Sequence, residues 1–303
     1  MNKKIIVLTG PTGVGKTALS LRLAAAFNGE IINADASQIR KKLDIGTAKI
    51  DLQTTNIKHH LLDFLTINED FSIYDYQKLA RQKIDDLLLH NKLPFLVGGS
   101  GLYLNSTLYD YDLSSPSRQD EFAQQFIDLT DAELHLKLQG LDSAAAENIP
   151  INNRRRVLRA LELAMGDAKR ISENISSLVP LYDCLVICFT TERPILYQRI
   201  NDRVESMFVA GWIKECQDLL DEGIDLHQIK DIGYSEIGSY LQGEITLEKV
   251  KDIIKQKTRN YAKRQLTWFK NKMNCLFINI DYENQEQNVI QVTEIIDKFL
   301  KNI

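Results

Sequence analysis

The sequence predicts an α/β fold: a parallel sheet with helices on its faces, interrupted by an all-helical insertion. Three observations predict it. Residues 8–17 read Leu-Thr-Gly-Pro-Thr-Gly-Val-Gly-Lys-Thr, which satisfies G-x-x-x-x-G-K-[ST] through Gly10, Gly15, Lys16 and Thr17; this is the pattern of phosphate-loop NTPase-like folds. Short apolar runs alternate with helical stretches, as in sheets covered on both faces. From about residue 114 to 181 strand signals stop and only helical periodicity continues. The expected division is a first part of the phosphate-loop core at 1–113, a helical insertion at 114–181, and a second part of the core at 182–303 with a basic C-terminal helix.

Each element follows from its local pattern. Residues 4–8, Lys-Ile-Ile-Val-Leu, are a buried-strand run, and 18–24 read as a helix opening on the glycine loop. Strand, loop and helix N-terminus make an anion cradle. Backbone N–H groups and the helix dipole face a phosphate, Lys16 adds a mobile charge, and the Thr17 hydroxyl can ligate Mg²⁺. Residues 30–34 are a second strand ending at Asp35. Parallel sheets carry their chemistry at the carboxyl ends of strands, so Asp35 falls near the loop. Residues 37–49 read as loop and 59–64 as a short strand. A helix opens with Ser72 as N-cap and Asp75 at its third position, and runs to about His90. A third buried strand, 93–97, enters a second glycine turn, Gly98-Gly99-Ser100-Gly101. The Asp, Ser and Pro of 110–118 signal a linker.

In the insertion, Phe122, Phe126 and Leu129 recur at helical spacing, as do Val157, Leu161 and Met165, and Thr130 with Glu133 makes a capping box. A strand at 184–189 resumes the sheet. A helix at 193–210 carries Arg199 and Arg203 one turn apart. A long helix from about Leu247 sets Val250, Ile254, Tyr261 and Trp268 on one stripe. A strand at 275–280 and a helix at 289–300 close the chain.

With 303 residues there is room for a large core and two domains. Apolar and charged fractions of 44% and 26% are those of a soluble globular protein, and no apolar run approaches a membrane span. Met1-Asn2-Lys3-Lys4 resembles a signal-peptide start, but the apolar run behind it is too short for that role. Cys184, Cys188, Cys216 and Cys275 show no metal spacing and read as free thiols of a cytoplasmic protein. The net charge of −4 gives no overall attraction to nucleic acid. The distribution says more. Lys251, Lys255, Lys257, Arg259, Lys263, Arg264, Lys270 and Lys272 face one acid, Asp252, and Arg154, Arg155, Arg156 and Arg159 form a second cluster. Such runs can be plain solvated faces, but Lys263-Arg264-Gln265 beside Trp268 suits RNA.

An ATP-hydrolysing phosphate loop wants an apolar strand ending in a Mg²⁺-holding Asp. The run to Asp35 is the candidate, and Asn33 interrupts it. The loop therefore reads as holding a phosphorylated substrate that is not hydrolysed as ATP. Asp35 is then free to take a proton from an attacking amine; the competing reading is a helix-capping Asp. Arg199 and Arg203 could clamp phosphate oxygens, or form surface ion pairs. His59 and His60, without a nucleophile or metal partner nearby in sequence, read as structural.

Taken together, the phosphate loop, Asp35, Asp44-Ile45-Gly46-Thr47-Ala48-Lys49, His59-His60-Leu61-Leu62-Asp63, Gly98-Gly99-Ser100-Gly101-Leu102-Tyr103, Arg159-Ala160-Leu161-Glu162, Ile232-Gly233-Tyr234 and Lys263-Arg264-Gln265-Leu266-Thr267-Trp268 stand in the order of the tRNA dimethylallyltransferases, a family this chain resembles along nearly its whole length. The resemblance implies transfer of a dimethylallyl group from its diphosphate to N6 of the adenosine 3′ to the anticodon. It implies that Gly10, Thr12, Gly13, Gly15, Lys16 and Thr17 hold the diphosphate with Mg²⁺. Asp35 would be the base, Ser100 would stand for the family's usual Thr, and Arg203 would neutralise the leaving group. It assigns Thr12, Ser37, Gln38, Gly46, Thr47, Lys49, Arg156, Arg159, Lys263, Arg264 and Gln265 to the substrate or tRNA, with the helical insertion on the anticodon stem-loop. The implied protein is a cytoplasmic monomer with no membrane partner.

The chain departs from the family over 36–42, where Ala36-Ser37-Gln38-Ile39-Arg40-Lys41-Lys42 replaces a Ser and a Tyr-x-Gly, and at Ile50 for Pro and Asn153 for Asp. That loop lines the RNA side of the family's site, so target context is what the departures would alter. The alternatives are a phosphate-loop small-molecule kinase, a prenyltransferase of free adenine nucleotides, and a non-enzymatic RNA-binding protein.

Overall fold

The computed structural model describes residues 3–110, 120–166 and 179–302. Of the expected linker at 110–118, residues 111–118 lie outside the described residues, as do 114–119 and 167–178 of the expected insertion. In chain order the elements are β1 (Lys4–Thr9), α1 (Lys16–Ala26), β2 (Gly29–Asn33), β3 (His59–His60), α2 (Ile73–Leu89), β4 (Leu93–Val97) and α3 (Gly101–Leu108); then α4 (Asp120–Gln124), α5 (Asp131–Leu141), α6 (Ser143–Asn148) and α7 (Arg154–Met165); then β5 (Asp183–Thr190), α8 (Arg193–Val209), α9 (Trp212–Asp221), α10 (Tyr234–Leu241), α11 (Leu247–Lys272), β6 (Leu276–Asn279) and α12 (Gln285–Lys301). The chain divides into two compact units, one of Met1–Phe71, Asp75–Leu108 and Tyr182–Ile303, the other of Ser72–Tyr74 and Tyr109–Leu181.

The first unit is built on a parallel sheet of six strands in the order β3-β2-β4-β1-β5-β6. β1 lies between β4 and β5, with Ile6 paired to Phe95 on one side and Leu185 on the other. Ile5, Ile6, Val7 and Leu8 have no exposed surface, which is why β1 reads as a continuous apolar run. Leu19, Leu23 and Ala24 of α1, Leu196 and Ile200 of α8, and Val292 and Ile296 of α12 pack with Ile6, Leu8, Phe95, Ile187 and Phe189. Each such large side chain contributes about 1.5–3 kcal/mol on burial. The neighbouring strands β2, β4 and β1 end in the Asp35 loop, the Gly98–Ser100 turn and the phosphate loop, so the strand order sets these three side by side.

The expected strand at 59–64 is only two residues long. Leu61 and Asp63 have φ of 56° and 54°, left-handed values that no strand accommodates. The backbone turns there instead, and the Leu61 carbonyl accepts a hydrogen bond from the Asn33 amide at 2.9 Å.

In the second unit, α5 opens on the expected capping box, with Thr130 and Glu133 bonded reciprocally. Leu134 and Leu138 of α5 pack with Val157 and Leu161 of α7. Met165, expected on the same stripe, is 56% exposed, since it lies on the last turn of α7. Asn153 caps α7 by accepting the Arg156 N–H, which is the task an Asp would perform there. Among the described residues no helix is long and apolar enough to cross a membrane.

Candidate active site

The phosphate loop has the form its glycines demand. Gly15, at φ 95°, caps α1 in a left-handed conformation, with no side chain capping the helix start. The first-turn amides of α1 are therefore left to an incoming anion. Lys16 folds back over the loop and donates from Nζ to the carbonyls of Gly10 at 2.9 Å and Pro11 at 3.0 Å. Burial pulls its ammonium down to about 8, with Asp35 opposing and Arg203 adding to the shift. A bound anion would reverse that cost. Thr17 stands exposed on the first turn of α1.

Asp35 follows β2 and is bracketed by Asn33. The Asp35 N–H donates to Asn33 Oδ1 at 3.1 Å, and Asn33 Nδ2 donates to the Asp35 carbonyl at 3.0 Å. The residue that breaks the apolar run thus fixes the backbone of the candidate base. Asp35 Oδ1 accepts the Ser37 N–H at 3.1 Å. Ser100 lies alongside: its N–H donates to the Ala34 carbonyl at 3.1 Å and its Oγ accepts the Ala36 N–H at 3.0 Å. Tyr261 lies close to Ser100, and burial, with Asp35 and Asp231 nearby, pushes the Tyr261 phenol well above its ordinary value.

Arg203 feels both Lys16 and Asp35. Burial lowers its proton affinity, Asp35 opposes this, and Arg199 reinforces it. Arg199 itself buttresses the loop. Its Nε donates to the Gly13 carbonyl at 3.0 Å and its guanidinium lies 3.9 Å from the centre of the Tyr282 ring.

A cavity of about 290 Å³ opens onto Asp35, Arg203 and Tyr261, while Lys16, Thr17 and Ser100 are not in its wall. Of the expected residues, Thr12, Asp35, Ser37, Gly46, Thr47, Arg203 and Arg264 line it. Ile200, Val204, Met207, Trp212 and Ile254 give it an apolar side. The sequence reading missed Asp231, Thr258 and the site role of Tyr261. The Ser37 hydroxyl donates to Asp231 Oδ1. Burial and the neighbouring Asp35 push the Asp231 carboxyl above its ordinary value, against the pull of Ser37 and Arg40.

Several residues expected to bind the substrate or tRNA have hydrogen-bond partners within the chain. Gln265 is only 6% exposed. Its Oε1 accepts the Thr12 N–H at 2.8 Å and its Nε2 donates to the Gly99 carbonyl at 2.9 Å, so it ties the two glycine turns together. Lys49 is likewise a clamp: its Nζ donates to the Arg40 carbonyl at 2.7 Å, Asp44 at 2.5 Å and Asp63 at 2.6 Å, and its side chain is 5% exposed. Gln38 donates to the carbonyls of Thr47 at 3.0 Å and Ala48 at 3.2 Å. The Gly46 N–H donates to Glu215 at 3.2 Å, and the Thr47 hydroxyl donates to the Leu43 carbonyl. A loop read as RNA-facing is thus stapled from within.

Lys263 and Arg264 remain exposed on α11. With Asn260, Thr267, Trp268, Asn271 and Lys272 they line a groove of about 460 Å³. Arg156 and Arg159 belong to α7 of the helical unit. Arg156 is exposed, and Arg159 pairs with Glu162 at 2.6 Å.

The sequence model of the IPP transferase family matches residues 38–272. The tRNA dimethylallyltransferase of Bacillus subtilis is 42% identical over 284 residues, 91% of this chain and 90% of that one. That of Anoxybacillus flavithermus is 44% identical over 277 residues, 90% of this chain and 89% of the relative. The crystal structure of the full-length tRNA isopentenylpyrophosphate transferase of Bacillus halodurans superposes with a TM-score of 0.74 at 38% identity, covering 99% of this chain and 97% of that one. A eukaryotic dimethylallyltransferase solved acting on tRNA gives 0.85 at 28% identity, covering 99% and 80%. None of these relatives is a kinase. Phosphate loop, Asp35 and cavity lie in a fold shared along almost the whole length of these enzymes, and the chain belongs to the tRNA dimethylallyltransferase family.

Proposed function

We propose that this chain transfers the dimethylallyl group of dimethylallyl diphosphate to N6 of the adenosine 3′-adjacent to the anticodon in tRNA. One observation carries the reading: a single cavity has Asp35, Arg203 and the phosphate-loop residue Thr12 in its wall together with an apolar side. An allylic diphosphate needs that division, with cations for its head and an apolar wall for its tail. Adenine N6 is a weak nucleophile and needs a base and close positioning.

The amine attacks C1 of the dimethylallyl group, the C1–O bond breaks, and diphosphate departs with the bonding electrons. Asp35 takes the amine proton, through the oxygen that Ser37 does not hold. Lys16, Arg203 and the first turn of α1 hold the developing diphosphate charge. Ser100 fixes the Asp35 loop through the Ala36 amide. Among the described residues no group of three or more His, Cys, Asp or Glu forms a metal cage. The Thr17 hydroxyl, exposed on the first turn of α1, would be a ligand of Mg²⁺. Bound there, Mg²⁺ would supply charge neutralisation on the leaving group. Lys263, Arg264 and the arginines of α7 would meet RNA phosphates, and the target base would leave its stack to enter the cavity. The four cysteines are free, in keeping with a cytoplasmic enzyme, which we take to act as a monomer.

The test is incubation with dimethylallyl diphosphate and unmodified tRNA, followed by mass analysis of the nucleosides. Prenylated adenosine beside the anticodon is expected. Prenylation of free adenine nucleotides alone, or phosphoryl transfer from ATP, would overturn the reading.

A further inference from the structure

We propose that Asp231 is a positioning residue for the transfer, holding Asp35 in its working orientation through Ser37. The inference rests on Asp35 being the base. The contacts run in series. Asp231 Oδ1 accepts the Ser37 hydroxyl, and the Ser37 N–H donates to Asp35 Oδ1 at 3.1 Å. Among the described residues no hydrogen-bond partner is found for Asp35 Oδ2, which leaves it for the amine proton. Asp35, Ser37 and Asp231 all line the same cavity.

Among the described residues the Ser37 hydroxyl is the hydrogen-bond partner found for the Asp231 side chain. The start of α10 is already served by Glu236, whose Oε2 accepts the Gly233 N–H at 2.8 Å. The nearby cation, Arg40, gives its Nη1 to the carbonyls of Thr66, Ile67 and Glu69. Without the Ser37–Asp231 contact, the Ser37 hydroxyl loses its anchor, and the Ser37 N–H that holds Asp35 Oδ1 can shift even though Asn33 and Ser100 keep the backbone before it in place. A base displaced by an ångström costs up to about 100-fold in rate.

The experiment compares wild type, Asp231→Ala, Ser37→Ala, the double variant and Asp231→Asn in single turnover with saturating tRNA. Dimethylallyl diphosphate affinity and melting temperature are measured alongside. Asp231→Ala and Ser37→Ala should each slow turnover about 10- to 100-fold with donor affinity unchanged. The double variant should be no slower than the slower single one, and neither substitution should slow Asp35→Asn further. Asp231→Asn keeps an oxygen for the Ser37 hydroxyl and should recover most of the rate. Should Asp231→Ala be too unstable to assay, Ser37→Ala carries the same prediction. Multiplying losses, an equal further loss on top of Asp35→Asn, or a defect confined to donor affinity would each overturn the inference. Wild-type turnover in Asp231→Ala would sink this inference alone, whereas no turnover in the wild type would sink the prenyl-transfer reading with it.

Discussion

Replacing Gln265 by Ala separates two accounts of one residue. Its place beside Lys263 and Arg264 suggests an RNA contact, but its burial and its bonds to Thr12 and Gly99 make it a tie between two turns. Alanine strands the Thr12 N–H and the Gly99 carbonyl. Each unpaired buried group costs about 1–3 kcal/mol. Thr12 is half-exposed and water can reach its side, while Gly99 is buried, so the sum should fall near about 3 kcal/mol. At an m-value of about 2–3 kcal/mol/M, the urea midpoint should drop by about 1 M. The loosened loop must be reordered by the donor, and about 1.4 kcal/mol of reordering weakens dimethylallyl diphosphate about tenfold. Urea unfolding and donor titration read both effects. An unchanged midpoint and donor affinity, with tRNA binding alone weakened, would refute the argument and return Gln265 to the RNA face.

Other substitutions follow the same logic. With Lys16 at about 8 in the free protein, a diphosphate binds best while that ammonium keeps its proton. Donor affinity should therefore fall as pH rises through about 8, by up to tenfold per unit. Titrations at about pH 7 and about pH 9.5 check this, and Lys16→Ala should bind about 10- to 100-fold more weakly at the lower pH and lose that slope. Lys49→Met should lower the melting temperature and leave the salt dependence of tRNA binding intact, because Lys49 is engaged by Asp44 and Asp63. Lys263→Ala should do the reverse, reducing the slope of log K against log salt by about one.

Much of this was legible in the sequence where a residue's job is local. The glycine spacing of 10–17 dictates its loop, and Thr130 with Glu133 dictates a helix start, because both motifs are satisfied within a few residues. Asn33 showed only as a flaw in an apolar run, since its partners, the Asp35 backbone and the Leu61 carbonyl, are assembled by the fold. Gln265 does carry a signal: Ala262, Gln265 and Phe269 recur at helical spacing and are buried together, but the flanking Lys263 and Arg264 give the same stretch the composition of a surface patch. Asp231 and Ser37 lie far apart in the chain, and no local pattern announces such a pair. Lys49 has the residue type and setting of an RNA contact, and only the two carboxylates that the loop folds around it give it a different role.

Asp35→Asn bears on the central claim most directly. The substitution keeps the side chain's shape and removes most of its basicity. In single turnover with saturating tRNA, the rate should fall on the order of 10²–10⁴-fold, the usual yield of a general base. Affinity for dimethylallyl diphosphate should stay level or tighten, since a negative charge near the phosphate site is lost. Wild-type turnover, or a defect confined to Mg²⁺-dependent donor binding, would contradict the assignment of Asp35 as the base.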